Sequence, residues 1–152
     1  MKIAIQTEDF DVSAELKVLS ENLPQIGGIN VFVGTVRANH LGDTVSAMSL
    51  EHYPGMTEKS LEEILHQAKK RWDVLNATII HRVGDLKVGD QIVLVAIAST
   101  HRGDAFAACE FVMDYLKTSA PFWKKEQTAQ GARWVDARTS DEERMKKWQS
   151  TN

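Results

Sequence analysis

Apolar positions recur along the chain with two periods, and the changes of period mark out the elements. KIAIQ (2–6) predicts a short first strand. In SAELKVLSENL (13–23), Leu16, Leu19 and Leu23 fall at helical spacing behind Ser13, the expected N-cap. INVFVGTVR (29–37) is β-branched and alternating, a strand in which Gly34 marks a bulge or a close backbone approach. TVSAMSLEHY (44–53) predicts another strand, with ANHLGD as the hairpin connection between the two. Pro54-Gly55 breaks the chain, and Thr57 is expected to cap the helix EKSLEEILHQAKKRW. Its acids come early and its KKR late, as the helix macrodipole favours.

ATIIHRVG and DQIVLVAIAST are the strongest strand candidates, joined through DLKVGD. AFAACEFVMDYLKTSA predicts a helix with Phe106, Cys109, Met113 and Leu116 on one stripe, stopped by Pro121. FWKKEQT and ARWVDAR flank the turn residues AQG as a terminal hairpin, and a charged tail helix follows. Helices alternate with strands, but several strand pairs are joined by short loops. The pattern is that of an α+β fold with a mixed or antiparallel sheet. No repeat or linker interrupts it, so residues 1–152 are expected to form a single domain.

The chain is long enough to bury a core, and 43% hydrophobic with 26% charged residues excludes a disordered protein. A formal charge of -3 weighs against a general nucleic-acid binder while leaving room for a local basic pocket. The longest apolar run, IVLVAIA (92–98), is too short to span a bilayer. The N-terminus reaches Glu8 and Asp9 before any signal-like block forms, so a cytoplasmic protein is expected. One cysteine, Cys109, excludes an internal disulfide and a multi-cysteine metal site. Gly-rich phosphate loops, nucleophile elbows and zinc motifs are missing as well.

Several residues could carry chemistry. STHRGD (99–104) puts His101 and Arg102 between a strand end and a helix N-terminus, where they would either hold an anion or simply reach water. Lys117 shares a helix face with Met113, at the border of the buried stripe, where a snorkelling lysine near a helix C-terminus is the commoner situation. If FWKKE is extended, Lys124 and Glu126 point one way and Lys125 the other. Arg37 closes its strand. His40, His52, His66 and His81 lack metal-ligand spacing and read as structural or exposed, and Cys109 reads as core. The residues alone reach a soluble α+β domain with a cationic pocket.

The strings GTVRANHLGD, LEHYPGMTEKSL, RW (71–72), IIHRVGDLKVGD, THRGDAF, FVMDYLKTSAPFWKKE and RWVDAR run in order from about Phe32 to Arg138. Together they resemble the MoaE family, the catalytic (large) subunits of molybdopterin synthase. The resemblance implies an α/β-hammerhead fold and a homodimer that carries two small ubiquitin-like sulfur-carrier subunits, a heterotetramer. It implies sulfur transfer from the carrier's C-terminal Gly-Gly thiocarboxylate to cyclic pyranopterin monophosphate (precursor Z). Two rounds form the dithiolene of molybdopterin, with no bound metal or organic cofactor.

By the same resemblance, Lys117 and Lys124 are the catalytic residues. Arg37, His101, Arg102, Lys117, Lys124, Lys125 and Glu126 bind substrate, while Phe32 and Met113 line the carrier-tail channel. Arg138 matches an arginine that approaches a neighbouring subunit's pocket. The alternative is a non-catalytic module that docks a ubiquitin-like Gly-Gly tail without turnover, for which the paired lysines would be superfluous. A phosphate-ester hydrolase fares worse, for want of a metal-ligand cluster or a clear nucleophile.

Overall fold

The computed structural model describes residues 1–40, 42–135 and 139–149. Its first sheet has the order β1-β5-β7-β2. Strand β1 (Lys2–Gln6) is parallel to β5 (Asn76–Arg82), while β5, β7 (Gln91–Ser99) and edge strand β2 (Gly28–Thr35) pair antiparallel. Alternation of side chains gives the two faces separate cores. Ala77, Ile79, Val93, Val95 and Ile97 face helices α2 (Met56–Arg71) and α3 (Arg102–Thr118), packing with Leu61, Leu65, Phe111 and Val112. Ile80, Leu94, Ala96 and Ala98 face the other way, under Phe10 and under Leu19 of α1 (Val12–Ser20).

The second sheet is antiparallel and centres on β4 (Asp43–His52). One edge of β4 takes β8 (Phe122–Thr128), which in turn carries β9 (Gly131–Val135). The other edge takes β3 (Asn39–His40) and β6 (Gly84–Lys87). Strand β6 lies in DLKVGD, which the sequence offers only as a connection. It is four residues long with one buried anchor, Leu86, too little for alternation to show. The C-terminal helix α4 (Thr139–Gln149) docks through Trp148, whose indole N–H donates to Asp114 Oδ2 at 2.7 Å. Trp148, Trp72 and Phe111 meet edge to face, and Arg71 donates to the Trp148 carbonyl.

Three local expectations are corrected. The cap of α1 is Asp11, whose carboxylate accepts from the Ala14 N–H at 3.1 Å, so the helix begins ahead of Ser13. Helix α2 begins at Met56 behind Gly55, which sits at φ 84°, a conformation glycine adopts without strain. Phe106 is 61% exposed; of the expected stripe Cys109, Met113 and Leu116 are buried, and Ala105, with Ala108 and Val112, fills the face in place of Phe106.

Thr57 therefore lies inside the first turn of α2 rather than at its cap, and it clasps two distant segments. Fully buried, its hydroxyl accepts from the Tyr53 N–H and shares its proton between the Tyr53 and Pro121 carbonyls, each contact at 3.0 Å. This ties the start of α2 to the bend that leads from α3 into β8. Thr57→Val keeps the shape but strands these buried groups, and should cost about 1–3 kcal/mol in denaturant unfolding. A variant as stable as the parent would show that the clasp contributes nothing.

Candidate active site

The two sheets meet at the Pro121 bend, where Phe122 stacks on His81 with ring centroids 3.8 Å apart and planes at 17°. Beside this stack opens a cleft of about 450 Å³. Part of its lining is a row across the first sheet: strand register sets His81 beside Val93, and Val93 beside Gly34. Gly34 is required here, because a Cβ would stand 2.8 Å from Val93 Cγ1 and 3.4 Å from Phe32 Cε1. The ladder shifts register between Gly34 and Thr35, so the bulge and the close approach coincide. Val36 then pins the chain, its N–H donating to the Asp90 carbonyl at 3.0 Å and its carbonyl accepting from the Gly89 N–H at 2.9 Å. Arg37 follows at the exposed rim of the cleft.

The opposing lining comes from the last turn of α3, which supplies Lys117, and from β8, where period two aims Phe122, Lys124 and Glu126 inward. Asp141 reaches the cleft from α4. Lys117 and Lys124 both line the cleft, near enough for the charge of one to act on the other. Burial, then the charge and the contact of Lys124, bring the Lys117 amine from 10.5 down to about 7, with Asp141 pulling weakly the other way. An amine so tuned holds and releases a proton near neutrality.

Glu126, only 3% exposed, does not neutralise this pair. Its two oxygens lie 2.8 and 2.9 Å from His40 Nδ1, and Arg133 approaches at 3.3 Å. Arg133 in turn donates to Asp43 at 2.6 Å and to the His40 carbonyl at 3.2 Å. The carboxylate is thus committed to its own partners, and the cleft keeps an excess of positive charge. Cys109 lies under β7, where burial and then Glu110 push its thiol up to about 12, beyond use as a nucleophile.

Of the residues singled out in the sequence, Phe32, Arg37, Lys117, Lys124 and Glu126 line the cleft. Met113 is 9% exposed and belongs to the core. Lys125 faces away, its Nζ 5.5 Å from the Trp134 ring centroid. His101 and Arg102 are exposed at the N-terminus of α3, with His101 beside Asp73. The seventeen residues of α3 rise about 25 Å between them and Lys117. Arg138 lies outside the described residues. His40, His81 and Asp141 line the cleft although the sequence did not single them out for it. His81 had a signal, sharing the parity of the buried Ala77 and Ile79; His40 and Asp141 sit in segments without periodicity.

The model of the MoaE protein family matches residues 5–119. A molybdopterin synthase catalytic subunit of Ralstonia nicotianae is 62% identical over 146 residues, covering 96% of this chain and 83% of that one. A molybdopterin biosynthesis MoaE protein structure from Burkholderia ambifaria superposes with TM-score 0.84 at 57% identity, covering 97% of each chain. The crystal structure of molybdopterin synthase from Staphylococcus aureus gives TM-score 0.79 at 31% identity, over 89% of this chain and 96% of that one.

The lysine pair carries a cost in stability with a definite sign. The unfolded chain binds the Lys117 proton at 10.5 and the folded chain only at about 7. The penalty is therefore complete below about pH 7, shrinks as pH rises, and vanishes above about pH 10.5 where both states are neutral. Lys117→Met should raise the unfolding free energy by about 1–3 kcal/mol near pH 6 and by nothing measurable at the alkaline end. Denaturant titrations across this range check it; a gain independent of pH would contradict the assignment.

Proposed function

The chain belongs to the MoaE protein family, and from that membership we infer that it is the catalytic subunit of molybdopterin synthase, a sulfurtransferase of molybdenum cofactor biosynthesis. It moves sulfur from the C-terminal thiocarboxylate of a small ubiquitin-like carrier subunit to cyclic pyranopterin monophosphate. Two rounds build the dithiolene. The observation that supports this reading best is the Lys117–Lys124 pair in a cleft whose buried carboxyl group, Glu126, is otherwise engaged. Both occupants of such a site are anions, one a thiocarboxylate and the other a cyclic phosphate. The one thiol of the chain is buried and held protonated, so the sulfur comes from outside.

In this reading Lys117 meets the carrier's terminal glycine. Its ammonium stabilises the thiocarboxylate and the tetrahedral oxyanion, and it exchanges a proton as sulfur departs. Lys124 positions the pterin and exchanges protons with Lys117. Arg37, always charged and at the rim, draws in the phosphate. Phe32 lines the tail channel, and Glu126 holds the polar wall in register. The assembly is a homodimer with a carrier on each subunit, acting in the cytoplasm. His101 and Arg102 lie too far along α3 to serve the cleft of their own chain, so they serve that of the second copy.

Purified protein mixed with thiocarboxylated carrier and pterin should form dithiolene. Wild type without product would sink the reading, whatever the binding affinities. Lys117→Ala and Lys124→Ala should each lower turnover by about 10²–10³ while leaving the carrier bound. Normal turnover by either would remove that residue from the mechanism. Mixed dimers address the second copy. His101→Ala and Lys117→Ala chains, each defective alone, should recover activity when co-assembled, because one complete site is restored. Failure to recover would return His101 to its own chain's site or to none.

A further inference from the structure

His81 has a place in this cleft that the reaction scheme above leaves unused. It lies at the end of β5 on the face that packs against α3, with only 3% of its surface exposed. Its Nδ1 is 2.8 Å from the Arg82 carbonyl, which has no proton to give, so Nδ1 must carry one and donate it. That fixes the tautomer: Nε2 is bare and can only accept. Among the described residues Nε2 has no hydrogen-bond partner, yet no fully buried side-chain nitrogen or oxygen goes unsatisfied, so this nitrogen opens into the cleft that His81 lines. The groups that face the ring are Lys117 on α3, Lys124 on β8 and His52 on β4. Burial first, opposed by the Arg82 hydrogen bond, and then these neighbours push the ring down to about 3 and hold it neutral. The stack on Phe122 fixes its plane.

We propose that His81 is a ligand-positioning residue of the cleft, whose Nε2 accepts a hydrogen bond from an N–H or O–H group of the bound occupant. The inference rests on the function proposed above for what enters the cleft. The cleft's cations are two lysines and an arginine; of its two carboxylates, Glu126 is already satisfied by His40 and Arg133, and Asp141 acts on Lys117 from the α4 side. Cations recognise the anionic ends of a ligand but give nothing to its N–H groups. A fixed, neutral acceptor at the junction of the two sheets supplies what they lack, without adding a negative charge that would quench the lysine pair. The donor is a ring or hydroxyl group of the pterin, or a backbone amide of the carrier's tail.

Two substitutions in the full chain separate this role from support of the fold. His81→Phe keeps a ring to stack on Phe122 and removes the acceptor, while His81→Gln offers an oxygen near the position of Nε2. Pterin alone forms one binding arm, and carrier with and without its terminal Gly-Gly forms the other. His81→Phe should weaken one of the two arms, or raise the matching KM, about 10-fold with kcat little changed, and His81→Gln should recover most of the loss. Loss in the pterin arm assigns the donor to the small substrate, and loss confined to carrier bearing Gly-Gly assigns it to the tail. A folded His81→Phe that binds both ligands and turns over as wild type does would overturn the proposal while leaving the enzyme reading intact. Dithiolene formation absent from wild type would instead overturn that reading. Should His81→Phe fail to fold, nitrogen NMR of the wild-type ring decides. The Nε2 signal should stay unprotonated between about pH 5 and 8 and move when one ligand saturates the cleft. A signal unmoved by either ligand would overturn the proposal.

Discussion

Two lysine side chains that repel each other are held in one partly desolvated cleft, and much of the architecture serves that arrangement. Lys117 stands on the last turn of α3 and Lys124 two residues into the inward face of β8. Only the bend at Pro121 brings them together, and the bend is fastened from outside the cleft. Thr57, at the start of α2, holds the Pro121 carbonyl, and Phe122, the next residue, lies flat on His81 of the first sheet. Helix α3 is anchored along its length by the core it shares with α2 and β7. The repulsion is thus borne by contacts that carry no charge.

Charges near the pair are disposed so as not to cancel it. Glu126 shares a strand face with Lys124, but its carboxylate is taken up by His40 and Arg133, and Arg133 is taken up again by Asp43. Such a chain of partners keeps a buried carboxyl group satisfied and turned to its own partners instead of to the lysines. Asp141 is the acidic group that acts on Lys117, and it arrives on α4, a helix held by Trp148 and Asp114 some distance away. A chain with formal charge -3 can therefore present a cationic pocket.

Periodicity made the framework legible, because strands β2, β4, β5 and β7 and helices α2 and α3 are long enough to show theirs against a buried face. Strand β6 escaped notice, since four residues with one buried leucine carry no period. On α3 only Phe106 was misplaced: it looks like core but is exposed, and alanines fill that end of the buried face, while Cys109, Met113 and Leu116 are buried as expected. Within the site, Lys124 and Glu126 were placed by strand alternation alone. Their different fates were invisible, because the partners of Glu126 come from 86 residues upstream and from the next strand. His81 was read as structural, and it does support the fold through its stack. Its open nitrogen follows from a tautomer fixed by tertiary structure, which no residue pattern encodes.

Placing the working amine at a helix C-terminus adds a last element of control. The carbonyl end of α3 favours the charged form of Lys117, as does Asp141, while burial and Lys124 disfavour it more strongly. The balance leaves an amine able to act as acid and base within one catalytic cycle. The proposed mechanism draws on that reversibility, since in each of its two rounds Lys117 would give up a proton and regain it. An arginine could bind the same anions but could not release a proton. In the proposed mechanism the division between Arg37 at the solvent rim and the lysines further in fits this difference: permanent charge would serve capture, and tunable charge the chemistry.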